Sequence, residues 1–339
     1  MGLFRLLLAI SIIIAHSSPI FGLNLIGGRV AVESFFLLSG FYMALVLTEK
    51  YQGNLHAFYK NRFLKIFPQY WLFLFLCLLV GLITQVGIKA FLDFQLNPIS
   101  KIILFFFNLS PVFQDITNYL AYNPQNGSLF FTATFRSFKP EIWNFLIMPQ
   151  TWVISLELLF YMIAPWLNRQ KTKILLLICF SSLALRLILL LTFHLNFDPW
   201  EYRFFPSELL FFVSGIICYR LYRKINLNIN LVYFLPLFVF VLFYQYIPHQ
   251  TIKMVCFYIL VFVTIPFLFK ITKDSKIDRL LGEISYPLYL SHFLIINILT
   301  QLFHLNHHLL GLVTLIICLP LSFLTHFFFQ KQINLYRSK

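Results

Sequence analysis

The chain has 339 residues, of which 60% are hydrophobic and only 11% are charged. A soluble domain is about half apolar and about a quarter charged, and a disordered chain is poor in aromatic residues, so this composition excludes both classes. A net charge of +14 would suggest nucleic acid as the partner of a soluble protein. Here most basic residues fall in short breaks between apolar runs, which indicates the lipid bilayer as the partner and argues against nucleic acid.

Apolar runs follow one another along nearly the whole chain. A membrane span needs about 20 apolar residues. We predict ten spans and an all-α polytopic membrane protein with a single transmembrane domain over residues 1–339. The predicted spans are 4–20, 30–48, 66–86, 150–168, 174–195, 204–223, 229–247, 252–269, 284–304 and 309–329. A further apolar run at 100–113 is short and contains Asn108 and Pro111, which favours a re-entrant or interfacial helix.

The placement of basic residues supports ten spans. With both termini cytoplasmic, the inner breaks hold 18 of the 26 basic residues and the outer breaks hold seven, as the positive-inside rule requires. The bias would be lost if the run at 100–113 crossed, so we expect the segment 87–149 to be mostly extracytoplasmic. An alternative is a signal peptide cleaved near Ala15-His16-Ser17, but its single basic residue and the nine spans left behind fit the charges less well.

Ionisable residues inside the spans are the first candidates for function, because each costs about 2.5–3.5 kcal/mol on insertion scales. Arg5 and His16 are eleven residues apart in the first span. Eleven residues make about three helical turns and rise about 16 Å, so both side chains share one face. An arginine at the cytoplasmic edge can hold an anionic ligand, and a histidine deeper in the span can act as a general base. Alternatively, Arg5 only sets the topology and His16 is a hydrogen-bonded histidine inside the bundle.

Charged residues of the second span and of the break after it extend this candidate site. Glu33 lies at a depth comparable with His16 and could orient its imidazole, or it could be a solvated acid near the end of a span. Arg62 and Lys65, three residues apart, could hold phosphates together, or they could be ordinary cytoplasmic charges.

Polar residues of the later spans are candidates for supporting roles. Glu157 and Tyr161 lie one helical turn apart on the same face, and Arg186 is expected to neutralise Glu157 or Glu208. His292 ranks behind His16, because a lone buried histidine is more often structural. The supporting set is Ser155, Glu157, Tyr161, Arg186 and His292. The cysteines show no metal-type spacing, so we predict no metal site.

Five motifs in order resemble the acyltransferase 3 family, whose members are multi-pass enzymes of the bacterial cytoplasmic (inner) membrane, typically with ten helices. The motifs are Arg5-x10-His16, Val32-Glu33-x-Phe35-Phe36-x-x-Ser39-Gly40-Phe41, Arg62-x-x-Lys65-Ile66-x-Pro68, Trp152-x-x-Ser155-x-Glu157-x-x-Phe160-Tyr161 and Ile284-Ser285-Tyr286-x-x-Tyr289-Leu290-x-His292. The resemblance implies transfer of an acyl group, most often acetyl from acetyl-CoA, to a hydroxyl of a surface polysaccharide or a lipid-linked sugar.

The resemblance also implies roles for individual residues. His16 would be the catalytic histidine, Arg5 would be essential, and Arg62 with Lys65 would form the pair that binds the acyl donor. Two positions depart from the family pattern: Glu33 stands where the family usually has Asp, and Lys65 stands where it has Arg. A lysine there loses the bidentate geometry with which arginine holds a phosphate.

Two other functions remain open from the sequence. Ten spans with buried charges also suit a transporter or exporter of a lipid-linked glycan, although we find no pair of Gly- or Pro-broken spans at matching positions in two halves. The protein could also be a non-catalytic membrane subunit, in which Arg5, His16 and Glu157 could all be replaced without effect.

Overall fold

The computed structural model describes residues 1–224 and 234–333, and their architecture is almost entirely helical, which confirms the predicted all-α class. The helices are α1 (Gly2–His16), α2 (Gly28–Leu45), α3 (Leu55–Thr84), α4 (Lys89–Asp93), α5 (Pro98–Leu109), α6 (Trp152–Arg169), α7 (Thr172–Leu191), α8 (Phe205–Tyr222), α9 (Leu235–Phe243), α10 (Gln250–Thr272), α11 (Lys276–Gln301) and α12 (His307–Thr325). π-helical turns at Val46–Tyr51 and His326–Gln330 continue α2 and α12. Strands β1 (Leu120–Tyr122) and β2 (Leu129–Phe131) form one antiparallel hairpin.

Several of these helices are long and apolar enough to cross a membrane. By length and composition, six stretches of the described chain qualify: Gly28–Tyr51, Leu55–Thr84, Pro149–Arg169, Thr172–Leu191, Gln250–Thr272 and His307–Ile333. Every predicted span contains a helix, although part of the seventh, 225–233, lies outside the described residues. The count of ten crossings and the side of the termini stay predictions. The helix α11 is long enough to cross but is not among these six, because polar residues such as Ser285, Ser291 and His292 lower its mean hydropathy. These three side chains are buried against neighbouring helices.

The helices form an inner and an outer group. In Gly28–Tyr51, 78% of the 18-residue apolar stretch is buried within the protein. In α7, only 17% of the corresponding stretch is buried. Helix α2 packs on α8 and α1, and α1 packs on α11, whereas α7 and α10 cover α8 and α12 covers α11. The outer helices therefore present apolar side chains to the bilayer, and α1, α2 and α11 enclose the polar residues of the span interior.

Two glycines set the separation of α2 and α8. A Cβ atom on Gly215 would lie 2.1 Å from the carbonyl oxygen of Leu37, and one on Gly40 would lie 1.9 Å from that of Phe212. The two backbones therefore touch, as small residues allow between helices in membranes. Gly40 follows Ser39 in α2, and Gly215 follows Ser214 in α8, so small residues stand at the contact on both helices.

The segment 87–149 folds over one end of the bundle. It contains α4, α5 and the β-hairpin around a small apolar cluster of its own. Asn108 joins this segment together: its side chain donates to the Phe145 carbonyl at 2.8 Å and accepts from the Ile147 amide at 2.7 Å, and its own carbonyl accepts from the Tyr70 hydroxyl at 2.7 Å. In α5 the polar Asn108 is buried and Phe105 is exposed, the orientation of a helix whose apolar face meets lipid.

Candidate active site

Helices α1 and α11 lie side by side and carry the two residues that the sequence analysis ranks first. A Cβ atom on Gly282 of α11 would lie 3.7 Å from the guanidinium of Arg5. Ten residues further along α11, His292 contacts His16, which is exposed at the end of α1. Arg5 and His16 therefore both face α11, which confirms the common face that their spacing predicts.

The imidazoles of His16 and His292 form a hydrogen-bonded pair. Nδ1 of His16 and Nε2 of His292 are 3.2 Å apart, and the rings stack with centroids 5.1 Å apart and an interplanar angle of 23°. The Phe293 ring packs against both, with centroids at 5.0 Å from His16 and 4.9 Å from His292. His292 is completely buried, and its Nδ1 contacts the carbonyl oxygen of Tyr289. Nothing in the sequence predicts this pair, because the two histidines are 276 residues apart.

A cavity of about 370 Å³ opens at the Arg5 end of α1. It brings together the three basic residues expected to hold the acyl donor and two more, Lys273 and Arg279, from just after α10 and from the start of α11. The basic residues lining it are Arg5, Arg62, Lys65, Lys273 and Arg279. Tyr42 lies under the Arg5 guanidinium, 5.7 Å from the ring centroid. A concave site with this many cations suits a polyanionic ligand with an aromatic or apolar part.

Arg62 differs from the other basic residues of the cavity because it is buried. Only 7% of the residue is exposed, and its guanidinium lies between the rings of Phe58 and Tyr161, at 5.9 and 6.0 Å from their centroids. Its polar contact is with the sulfur of Met43 at 3.9 Å, and its Nε has no hydrogen-bond partner in the part of the chain that the structure describes. No carboxylate within that part pairs with it. A buried cation without an anion is costly, so this geometry favours an anionic ligand.

A narrow second cavity of about 70 Å³ continues from the first toward the histidines. Arg5, Phe35 and Glu157 line both cavities. The far end of the narrow cavity reaches Tyr289, whose ring centroid is 5.5 Å from that of His292. The narrow cavity therefore lies between the basic cavity and the histidine pair, and we call this stretch along α1 and α11 the path; neither histidine is among the residues that line the two cavities.

Glu157 provides the polar wall of this path. Its carboxylate accepts hydrogen bonds from the hydroxyl of Tyr161, one turn further along α6, and from the hydroxyl of Ser39 at 2.8 Å. The predicted shared face of Glu157 and Tyr161 is confirmed. Of the two partners expected for Arg186, the structure confirms Glu208 and not Glu157, because Arg186 forms its ion pairs with Glu208 and Glu33.

The structure does not bring Glu33 to His16. The Glu33 carboxylate is fully buried and accepts hydrogen bonds from Arg186 at 3.0 Å and from the Tyr258 hydroxyl, and Arg186 also pairs with Glu208. The reason is the rotation of α2, which turns Glu33 toward α7, α8 and α10 and away from α1. The contact expected for an orienting acid is therefore not formed, and His292 occupies that position instead.

Ser155 contacts a residue outside the predicted set. Its hydroxyl donates to the carboxylate of Asp115, which is 7% exposed in the segment 87–149. Burial raises the pKa of the Asp115 carboxyl above its ordinary range, and the Ser155 hydrogen bond partly opposes this shift. The sequence gives no sign of a buried acid in this segment. In the described ranges, no three or more His, Cys, Asp or Glu side chains are grouped so that they could hold a metal ion.

Comparison with known proteins agrees with this geometry. A family model described as an acyltransferase domain, Acyl_transf_3, matches residues 1–327. No curated protein and no solved structure matches the chain. The matched region covers α1 to α12 and therefore includes the two cavities and the histidine pair. The chain belongs to the acyltransferase 3 family and is a multi-pass membrane acyltransferase.

Proposed function

We propose that the protein transfers an acetyl group from acetyl-CoA to a hydroxyl of a cell-surface polysaccharide or of a lipid-linked sugar in the bacterial cytoplasmic membrane. The observation that carries this proposal is the path from the basic cavity to the histidine pair. With ten crossings and both termini in the cytoplasm, the basic cavity opens to the cytoplasm, where the donor is made. The histidine end then faces the outer side, where surface glycans are exposed.

In this proposal the phosphates of the donor bind in the basic cavity. The Arg62 guanidinium offers the planar fork that matches phosphate, and Arg5 and Lys65 add charge at the same cavity wall. The thin pantetheine arm then follows the narrow cavity along Glu157 and Tyr289 and presents the thioester at His16. The two residues of α1 thus hold opposite ends of one ligand, about 16 Å apart along the helix axis.

The reaction at His16 is general base catalysis. Nε2 of His16 takes the proton of the acceptor hydroxyl, and the hydroxyl oxygen attacks the thioester carbonyl carbon. The new C–O ester bond forms, the C–S bond breaks, and the CoA sulfur leaves with the proton that Nε2 has taken. The exposure of His16 at the end of α1 supports direct attack by a hydroxyl from the outer side. The alternative is a transient acyl-imidazole on Nε2, which the same hydroxyl would then attack.

The test is a His16→Ala variant in cells, with the O-acetyl groups of the surface glycan measured by NMR. His56→Ala, which removes an exposed imidazole at the start of α3, is the matched control. We expect acetylation to be lost in the first variant and kept in the second, because base catalysis contributes about 10²–10⁴-fold to the rate. Undiminished acetylation in a well-inserted His16→Ala protein would refute the role of His16.

A second measurement separates the enzyme from a carrier. The purified protein in nanodiscs is incubated with acetyl-CoA in the presence and absence of a lipid-linked glycan acceptor. An acetyltransferase releases free CoA thiol in proportion to the acetylated acceptor. A transporter leaves acetyl-CoA intact under both conditions, and that result would overturn the proposed function.

A further inference from the structure

The hydrogen bonds around His292 determine which of its ring nitrogens carries the proton. Nδ1 of His292 contacts the carbonyl oxygen of Tyr289, one turn earlier on α11. A carbonyl oxygen has only lone pairs, so Nδ1 must be the protonated nitrogen and the donor. In a neutral His292 the other nitrogen, Nε2, therefore carries a lone pair and can only accept.

The contact between the two rings also determines which nitrogen of His16 carries its proton. Nε2 of His292 lies 3.2 Å from Nδ1 of His16. Because Nε2 accepts, Nδ1 of His16 must donate, and this contact favours the proton of a neutral His16 on Nδ1. The backbone of Ile12, one turn earlier on α1, also interacts with the His16 ring, so His292 does not act alone on its protonation. Nε2 of His16 is left with its lone pair, on the side of the ring away from His292.

Burial keeps His292 in the neutral state. The residue is 0% exposed, and Tyr289 and Phe293 pack against its ring. A charged imidazolium there would lose its hydration, and the nearest titratable group that the structure shows against it is His16, which provides no negative charge. No carboxylate of the described chain forms an ion pair with either ring.

We propose that His292 is a positioning residue that fixes the tautomer of His16 and so makes Nε2 of His16 the base. The Tyr289 carbonyl, His292 and His16 then form a chain of hydrogen bonds. In this chain His292 orients His16, as a carboxylate does in other catalytic triads. The inference rests on the proposed function for its catalytic consequence only. The tautomer itself is a property of the resting protein.

The direct test is ¹⁵N NMR of the full-length protein, labelled at the histidine rings, in nanodiscs at about pH 8, where an ordinary histidine with a pKa of about 6.5 is neutral. The His16 signals are assigned from their loss in His16→Gln. We expect the wild-type His16 to be protonated at Nδ1 and unprotonated at Nε2, the reverse of the tautomer that a free histidine prefers in water. In His292→Leu, which cannot accept a hydrogen bond, the share of His16 in the Nε2-protonated form should rise.

Two further variants separate positioning from packing. His292→Gln places an amide oxygen where Nε2 stood and can accept from Nδ1 of His16, so it should keep much of the wild-type tautomer. Phe293→Leu removes a ring that packs against both histidines but makes no hydrogen bond to them, and it should leave the tautomer unchanged. In acetyl transfer, kcat should fall by about 10²–10⁴-fold in His292→Leu and by less in His292→Gln, with the KM for acetyl-CoA unchanged in both.

The outcomes distinguish this inference from the proposed function. An Nε2-protonated His16 in the wild-type protein would overturn the inference, and this spectrum needs no variant to fold. An unchanged tautomer and kcat in a folded His292→Leu would also overturn it. A purified protein that shows the expected tautomer and its shift in His292→Leu, but transfers no acetyl group, would support the positioning role and refute the proposed function.

Discussion

Replacing Arg62 with Met should weaken donor binding without destabilising the free protein. The change exchanges a guanidinium that is 7% exposed, without a carboxylate partner in the described chain, for an apolar side chain of similar length. A buried charge without a partner costs several kcal/mol. The unliganded Arg62→Met protein should therefore unfold at the wild-type temperature or above it, whereas most substitutions at buried positions destabilise a protein.

The expected loss of affinity follows from the hydrogen bonds that Arg62 would make to a phosphate. Hydrogen bonds to charged groups contribute about 1.5–3 kcal/mol to stability. Because about 1.4 kcal/mol corresponds to a factor of ten, the Kd for acetyl-CoA should rise roughly 10- to 150-fold. Arg62→Lys should give an intermediate value, since lysine keeps the charge but loses the planar fork.

The assay is thermal unfolding in detergent with and without acetyl-CoA. At a donor concentration 100 times its Kd, binding stabilises the wild-type protein by about 2.7 kcal/mol, and a variant with a 100-fold weaker Kd gains only about 0.4 kcal/mol. Lys60→Met is the matched control, because it removes a positive charge from an exposed position two residues earlier on α3. An Arg62→Met protein that loses several kcal/mol without donor, yet binds acetyl-CoA with the wild-type Kd, would show that Arg62 is structural.

Three further predictions concern the buried groups. Arg186→Met should destabilise the protein by about 3–5 kcal/mol in thermal unfolding, because it leaves the buried carboxylate of Glu208 without the cation that it pairs with and leaves Glu33 with Arg29 alone; adding Glu208→Gln should recover part of this loss. Gly215→Ala should cost at least about 1–3 kcal/mol and lower the yield of folded protein, because its Cβ would collide with the backbone of α2. Asp115→Asn keeps an acceptor for Ser155 and removes a carboxylate whose pKa is raised by burial, so unfolding at pH 7 should show equal or higher stability than wild type.

Each of these predictions has a result that contradicts it. Equal stability of Arg186→Met and wild type would mean that the ion pair contributes nothing. For Gly215→Ala the control is Ser214→Ala at the neighbouring position, which should be nearly neutral if the loss of stability comes from the close approach of the two backbones. For Asp115 the folded protein holds its proton more tightly than the unfolded chain. The advantage of Asp115→Asn should therefore shrink as the pH falls through the raised pKa, and vanish below the ordinary carboxyl pKa of about 4. A constant difference at all pH values would point to another cause.

Hydropathy predicts where the helices are, but not where they end. The third predicted span begins at residue 66, whereas α3 begins at Leu55, where the Asn54 side chain accepts from the Ala57 amide at 3.0 Å. Likewise α11 begins at Lys276, eight residues before the predicted span at 284. Hydropathy measures how much of a helix suits the lipid interior, whereas capping and polar first turns determine the end of the helix in water.

The candidate site was predictable to the extent that it depends on single helices. The spacing of Arg5 and His16 fixes their common face on any helix, and that of Glu157 and Tyr161 does the same. Which neighbour a face meets depends on the order of helices in the bundle, which the sequence does not encode locally. For that reason the partner of His16 was expected to be Glu33, on the next helix in the chain.

The arrangement of the path explains why a neutral histidine pair suits this position better than a carboxylate dyad. A carboxylate in the span interior needs a cation, as Glu33 does with Arg186. In the proposed mechanism, a further unpaired cation beside His16 would disfavour the imidazolium that forms when the base takes its proton, and the nearby Arg203 is paired with Asp198. His292 would orient His16 without adding any charge, and the cations proposed to bind the donor lie at the Arg5 end of the helix pair. A separation of about 16 Å between the two ends would then serve binding and base catalysis together, because each needs the electrostatics that the other would disturb.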